Sequence, residues 1–363
     1  MRAVFDLDDT ISIHKNRDYP NATPIIPVIE KIRKMKADGW EIIIYSARGQ
    51  VSCKGNIDLI EERNRPVVEK WLQEHAVPFD GLIFGKPIAD LYVDDKGMGL
   101  QEFIDSPFEY LNGGGSGGNV YRFGNIVKKS FNSPFDTEQY KRWEEDKQGC
   151  CLSPKVHSYL YDSVYMDYIE GERLSECATK REIEQLIEIT ERFRSRKTSD
   201  KFSIAPQIEI LMKNESEDEE MNRIIRVCKT VIEKQEMEIA KNQSFSHGDM
   251  ILSNAIKAED GIYLIDSRYI KDSSSYLFDL AKLRMSLSGY EYLFKISAED
   301  KRHLRQDFDG YLKDRGILSL VVVLNLMYVC RLYRYKASKD RSIVKKMAKE
   351  ILHEHEELFG KKW

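Results

Sequence analysis

Asp6 and Asp8 sit two residues apart in Phe5-Asp6-Leu7-Asp8-Asp9-Thr10. On an extended segment, residues two apart face the same way. One carboxylate can then attack a phosphorus atom while its neighbour handles the proton. Ser46 and Lys86 offer a hydroxyl and an ammonium for phosphoryl oxygens. Asp94 or Asp95, with Asp6 and Asp8, offers hard oxygen ligands for Mg2+. This set suits the removal of phosphate from an ester. A second set lies far downstream, in His247-Gly248-Asp249-Met250-Ile251-Leu252-Ser253-Asn254 and then Ile265-Asp266. Asp249 can accept or orient the proton of an attacking hydroxyl, and Asn254 and Asp266 can bind Mg2+. Moving phosphate from a nucleotide to a hydroxyl needs such positioning and charge neutralisation, with little covalent work by the protein. His247 is expected to brace the loop.

The elements that must carry the first set are strands alternating with helices. Arg2–Phe5 reads as a buried strand that ends where the acids begin. A helix follows, with Thr23 as N-cap, Pro24 at its first position and Ile25, Ile29, Ile32 and Met35 on one face. Glu41–Tyr45 is the next strand, the segment from Asn56 to His75 a second helix, Gly81–Phe84 a third strand and Leu91–Val93 a fourth. Such alternation predicts a parallel sheet covered on both faces. Sites in such sheets form beyond the carboxyl ends of the strands. Asp6, Asp8, Ser46, Lys86, Asp94 and Asp95 each fall at or just past a strand end. The gap from Ile11 to Ala22, and that between Ser46 and Lys86, are too short for a cap domain, which predicts an open site. Tyr19, Asn21 and Arg48 are expected near its mouth as structural residues.

Over residues 1 to 106 these motifs resemble the haloacid dehalogenase superfamily of phosphatases. The resemblance implies a Rossmann-like α/β domain with Asp6 as nucleophile, Asp8 as acid/base, Ser46 and Lys86 as phosphate ligands and Asp94/Asp95 as ligands of Mg2+.

At the join, Asn112-Gly113-Gly114-Gly115-Ser116-Gly117-Gly118-Asn119-Val120 is the one low-complexity segment. It reads either as a flexible linker or, through Gly113, Gly115, Gly118 and Val120, as a glycine-rich loop over nucleotide phosphates. The loop reading is preferred, because Val120–Lys128 looks like a hairpin whose second strand delivers a lysine. Strand alternation lets only one of Lys128 and Lys129 point inward; Lys128 is the expected one. A helix over Thr137–Lys147 carries Glu144 and Glu145, one of which could orient that lysine. Val164–Ile169 reads as a strand running into a connector, with Met166 and Tyr168 placed to contact adenine. Beyond Gly171 the chain turns helical.

Over about residues 107 to 363 the chain is similar to the aminoglycoside phosphotransferase and choline kinase family. His247-Gly248-Asp249 with Asn254, Ile265-Asp266 and Tyr276-Leu277-Phe278-Asp279-Leu280-Ala281 carry the likeness. It implies a two-lobed, α+β protein-kinase-like fold, with an N-lobe over about 107–168 and a helical C-lobe over about 169–363. It also implies ATP and Mg2+, a small hydroxylated acceptor, and Asp279 as a structural anchor of the catalytic loop. Ser267-Arg268 stands where protein kinases carry Phe-Gly, which moves the expectation away from protein substrates.

Two signatures on one chain predict a bifunctional enzyme, a phosphatase fused to a small-molecule kinase. The two activities would serve different positions of a sugar or sugar phosphate in a biosynthetic pathway, since work on one position would be futile. Bacterial surface-polysaccharide precursors are the expected setting, by analogy. One rival is a phosphatase regulated by a silent kinase-like domain that only binds a ligand; intact Asp249, Asn254 and Asp266 speak against it. Another is a nucleic-acid end-processing kinase–phosphatase. Against that stand the lack of any GxxxxGK[ST] segment and a net charge of −4, so no nucleic-acid partner is expected. A length of 363 residues and 42% apolar content allow two or three cored domains. The six cysteines show no metal-ligand or disulfide spacing. A strand starts at once and the most apolar run, Ile317–Cys330, is short for a membrane span. A cytoplasmic protein with no membrane partner is therefore expected.

Overall fold

The computed structural model describes residues 1–14, 18–88, 97–105, 108–111, 119–131, 134–159, 163–197 and 201–359. Contacts divide the chain into two compact units. One comprises Met1–Tyr110 with Tyr121–Asn125, the other Leu111–Val120 with Ile126–Trp363.

In the first unit, β1 (Arg2–Phe5), β2 (Glu41–Ser46) and β3 (Gly81–Phe84) form a parallel sheet with β2 in the centre. The register sets Phe5 beside Ile44 and Ser46 beside Phe84. All three carboxyl ends therefore meet at one edge. Helix α1 (Ile26–Ala37) buries Val28, Ile29, Ile32 and Met35. Helix α2 (Ile57–Glu74) is capped by the Asn56 side chain, which accepts from Leu59 N, and it buries Ile60, Val68, Trp71 and Leu72. These faces join Phe5, Leu7, Ile42 and Ile44 in one core.

The expected start of α1 is corrected. Thr23 and Pro24 pair antiparallel with Ile13 and Ser12, and the helix begins at Ile26 with Pro27 in its first turn. Two prolines three apart both suit a first turn. Strand pairing claims the earlier one. The expected strand Leu91–Val93 lies outside the described residues.

In the second unit, β4 (Ile126–Ser130), β5 (Val156–Tyr159) and β6 (Ser163–Asp167) form an antiparallel sheet in the order β4-β6-β5. Ser130 N donates to Asn119 O at 2.8 Å. Helix α3 (Pro134–Lys147) packs Tyr140 against Val127, Val164 and Met166. The rest is mainly helical around a separate, larger core. A short hairpin interrupts it, β7 (Ala255–Ala258) with β8 (Gly261–Leu264), registered Ala255 to Leu264. Helix α4 (Tyr276–Leu287) lies in this core with every residue buried except Lys282. The apolar run near residue 320 becomes helix α5 (Leu318–Tyr335), whose Val321–Leu324 are fully buried. No helix among the described residues is long and apolar enough to cross a membrane. All six cysteines are free thiols.

Candidate active sites

At the carboxyl edge of the parallel sheet the chain leaves β1 through Asp6. It then turns tightly, with Ile11 N and Ser12 N both donating to Leu7 O at 3.0 Å. Asp9 takes a left-handed conformation there (φ 57°). Ser46, fully buried, ends β2, and its Oγ accepts from Arg48 N at 3.1 Å. Lys86 lies two residues past β3, with Nζ 3.2 Å from Asp6 Oδ2. The sheet thus brings Asp6 and Lys86 into contact and sets Ser46 on the strand between them.

Arg48 has a larger part than expected. Only 3% exposed, it grips Asp8 with Nε 3.0 Å from both carboxylate oxygens and Nη2 2.7 Å from Oδ1. Tyr19 lies over the guanidinium at 4.3 Å, and His14 Nε2 stands 3.7 Å from Asp8 Oδ1. A bidentate arginine fixes a carboxylate in position and orientation. The clue was present in the sequence, an arginine two residues beyond the serine that ends a strand. Asn21 instead bonds the exposed Asp18. Asp94 and Asp95 lie outside the described residues. Asp6 and Asp8 are hard oxygen donors of the kind Mg2+ takes.

The second site is built on the β7–β8 hairpin. Asn254 immediately precedes β7, and Ile265-Asp266 immediately follows β8. Ile265 N donates to Asn254 O at 2.9 Å, which carries the ladder one step further and sets Asn254 opposite Ile265, the residue before Asp266. Arg268 N donates to His247 O at 2.9 Å and ties the same two loops again. Asn254 Nδ2 donates to Asp249 at both its backbone O (3.0 Å) and Oδ2 (3.1 Å). With that nitrogen engaged, the amide oxygen of Asn254 is left as its metal-binding atom. An amide oxygen and a carboxylate, from Asn254 and Asp266, are a donor set that fits Mg2+.

Asp279 anchors the loop as expected. Its two carboxylate oxygens accept from His247 N and Gly248 N, each at 2.7 Å. Burial pushes the Asp279 carboxyl up to about 7, against the pull of those two amides. Burial pushes the His247 imidazole down to about 4, so it is neutral near pH 7; the loop is tied through the His247 backbone rather than through its ring. Gly248 has φ +81° and passes so close to Arg268 that an added Cβ would lie 2.3 Å from its carbonyl oxygen.

The lysine assignment is corrected. Lys129, 6% exposed, forms the ion pair with Asp266, while Lys128 sits on the opposite face, with Nζ 5.7 Å from the Tyr165 ring. The cause is strand parity: β4 alternates, Val127 and Lys129 face the core, and Lys129 stands opposite the fully buried Val164. Burial would raise the Asp266 carboxyl, but Lys129 and Arg268 outweigh it and hold the group below its ordinary value. Glu144 is corrected too. It pairs with Lys147 (2.6 Å) and accepts from Ser153 (3.1 Å), so another partner claims it rather than Lys129. The Met166 side chain is committed to the sheet core, where its sulfur accepts from Tyr140 OH at 3.6 Å, and Tyr168 packs beside that core partly exposed. Gly113, Gly115 and Gly118 lie outside the described residues. Sequence reasoning missed Lys282, whose Nζ is 2.8 Å from Asp249 Oδ1.

No protein-family model matches the chain. No curated protein matches it either. Among solved structures, a structural-genomics target from Vibrio cholerae is similar at 33% identity, over 29% of this chain and 89% of that one, with a TM-score of 0.29. LicA in complex with AMP is similar at 15% identity, over 68% of this chain and 91% of that one, with a TM-score of 0.48. A choline/ethanolamine kinase family protein from Mesorhizobium loti is similar at 16% identity, over 68% of this chain and 88% of that one, with a TM-score of 0.45.

Proposed function

We propose that the second unit transfers the γ-phosphoryl group of ATP to a hydroxyl of a small molecule, and that the first unit hydrolyses a phosphomonoester. The observation that carries the first half is the hairpin-built juxtaposition of Asp249, Asn254 and Asp266, with Lys129 on Asp266. Asp249 takes the proton of the acceptor hydroxyl as its oxygen bonds the γ-phosphorus, and the bond to the β–γ bridging oxygen breaks to release ADP. Asn254 orients Asp249 through its amide hydrogen bonds. Lys129 is the ammonium available to nucleotide phosphates. Asp266 and Asn254 would hold Mg2+, which when bound neutralises phosphate oxygens.

The second half is favoured by the contact of Lys86 with Asp6 beside buried Ser46. Asp6 attacks phosphorus to form an aspartyl phosphate, Asp8 protonates the departing alkoxide, and water then cleaves the acyl phosphate. Lys86 and Ser46 hold the phosphoryl oxygens, and Arg48 keeps Asp8 aimed. A sugar or sugar phosphate fits both halves, with the two activities directed at different positions of one pathway's intermediates.

The test is a pair of variants assayed for both activities. Asp249→Asn should lower acceptor-dependent ADP release by about 100-fold or more, and Asp6→Asn should lower phosphate release from aryl and sugar phosphates by a similar factor. Each variant should spare the other activity. Failure of the wild-type protein to bind Mg·ATP in calorimetry would sink the kinase half. Undiminished hydrolysis in Asp6→Asn would sink the phosphatase half.

A further inference from the structure

Lys282 is the one residue of α4 that escapes burial. Its ammonium touches the proton acceptor Asp249 (2.8 Å) and stands 4.4 Å from the centroid of the Tyr328 ring. A second lysine is placed alike. Lys336, at the end of α5, holds Nζ 4.0 Å from the Phe294 centroid and 5.4 Å from that of Tyr290. Tyr290 and Phe294 are themselves in ring contact at 5.5 Å. Both tyrosines belong to the surroundings of Asp249: burial raises each phenol most, and the charge of Asp249 adds to the rise. Lys336 forms no ion pair among the described residues; burial lowers its pKa, and the charge of Asp340 partly offsets that.

Aromatic faces within about 6 Å of a cation are how proteins capture ammonium ligands. The faces of Tyr328 and Tyr290 near Asp249, and of Phe294 next to Tyr290, are already taken by the chain's own ammonium groups. A cationic acceptor would have to evict a lysine or add a like charge beside two others, which is unfavourable. An oxyanion meets the opposite situation. An ammonium has three donors, and Lys282 is ion-paired with Asp249 alone among the described carboxylates. Lys336 is a cation held against two aromatic rings, with no carboxylate in ion-pair contact among the described residues and the charge of Asp340 acting on it from a greater distance.

We infer that the acceptor of the second unit is a hydroxylated anion, a polyol or sugar bearing a carboxylate or phosphate that Lys282 and Lys336 bind. This rests on the phosphotransferase reading above and narrows it. During transfer the acceptor's hydroxyl proton goes to Asp249, its oxygen bonds the γ-phosphorus, and ADP leaves with the electrons of the broken bond. The acceptor's own anionic group stays on the lysines throughout.

The test uses the intact wild-type chain and initial rates of ADP release, a readout that the chain's own phosphatase does not erase. Glucuronate, glucose 6-phosphate, glucose, glucosamine and choline are compared as acceptors, after calorimetry has measured Mg·ATP binding. Preference for glucuronate or glucose 6-phosphate by about tenfold or more in kcat/KM is the expected result, and the better of the two names the anion. Lys336→Met should raise KM for that acceptor about tenfold with kcat little changed, and Lys336→Arg should restore it. Preference for glucose, glucosamine or choline would overturn the inference and leave the kinase reading standing. Mg·ATP binding without turnover of either anion would also overturn it. Absence of Mg·ATP binding would remove the kinase reading, and this inference with it.

Discussion

Lys128 and Lys129 differ by one position and by the side of a strand they occupy. A period of two makes neighbours opposites, so the choice between them needs the register of β4, which is a tertiary property. Lys129 faces Asp266 because the core claims Val127 on the same side. Lys129→Met should cut ADP release by about 100-fold, while Lys128→Met should leave it within about threefold; steady-state rates on the two variants decide the matter. The same limit hid Lys282 and the grip of Arg48 on Asp8. Spacing displays residues that act in sequence clusters, such as Asp6 with Asp8 or Asp249 with Asn254. Partners 40 or 33 positions away (Arg48 from Asp8, Lys282 from Asp249) meet only once the sheet and helices are packed. Glu144 was misjudged for a related reason: an acid one helical turn from Lys147 finds that lysine first.

Among the elements, the β7–β8 hairpin does most of the positioning. It takes two residues 12 apart, Asn254 and Asp266, and sets them on adjacent strand ends. Its flanking loop is pinned to α4 through Asp279, and Gly248 allows the close passage. Gly248→Ala would force a Cβ against the Arg268 carbonyl at a left-handed φ. A loss of about 2 kcal/mol or more in the stability of the second unit is expected. ADP release should fall sharply and phosphate hydrolysis should persist, as denaturant titration and the two assays would show. The sequence made several elements legible. Asn56 and His75 bracket α2 as the capping pattern indicates, and β1, β2 and β3 fall where apolar runs stop at acids, a serine and a glycine. The start of α1 was not legible. The pairing of Thr23–Pro24 with Ser12–Ile13 is a contact between segments that a local helix signal does not register.

At the scale of the whole molecule, each unit has its own hydrophobic core, and the second has two. Separate cores predict two unfolding transitions in calorimetry. Mg·ATP should raise one of them and leave the other in place, since a ligand stabilises the unit that binds it. His247 should give that same transition an acid-sensitive contribution, opposite in sign to that of Asp279, whose carboxyl is pushed up to about 7. Below pH 6.5 the unfolded chain protonates its imidazoles, while buried His247 resists until about 4. Protons bound by the unfolded state alone weaken the folded one as pH falls. Between pH 7.5 and 5 His247 should cost the second unit about 2 kcal/mol. Wild type compared with His247→Met over that range isolates the effect; parallel curves for the two would refute it.

Asp266 sits at φ 62°, a left-handed conformation for a residue with a Cβ. Glycine would adopt that conformation freely, regaining about 1 kcal/mol of backbone strain, but it would take away the partner of buried Lys129. A single nucleotide change turns an aspartate codon into a glycine codon. Chance mutation in any lineage carrying this gene should therefore keep producing a protein relieved of backbone strain but left with Lys129 buried beside no carboxylate. Persistence of aspartate at this position across related genomes would be the imprint of selection for the carboxylate itself, held there in spite of the backbone it strains.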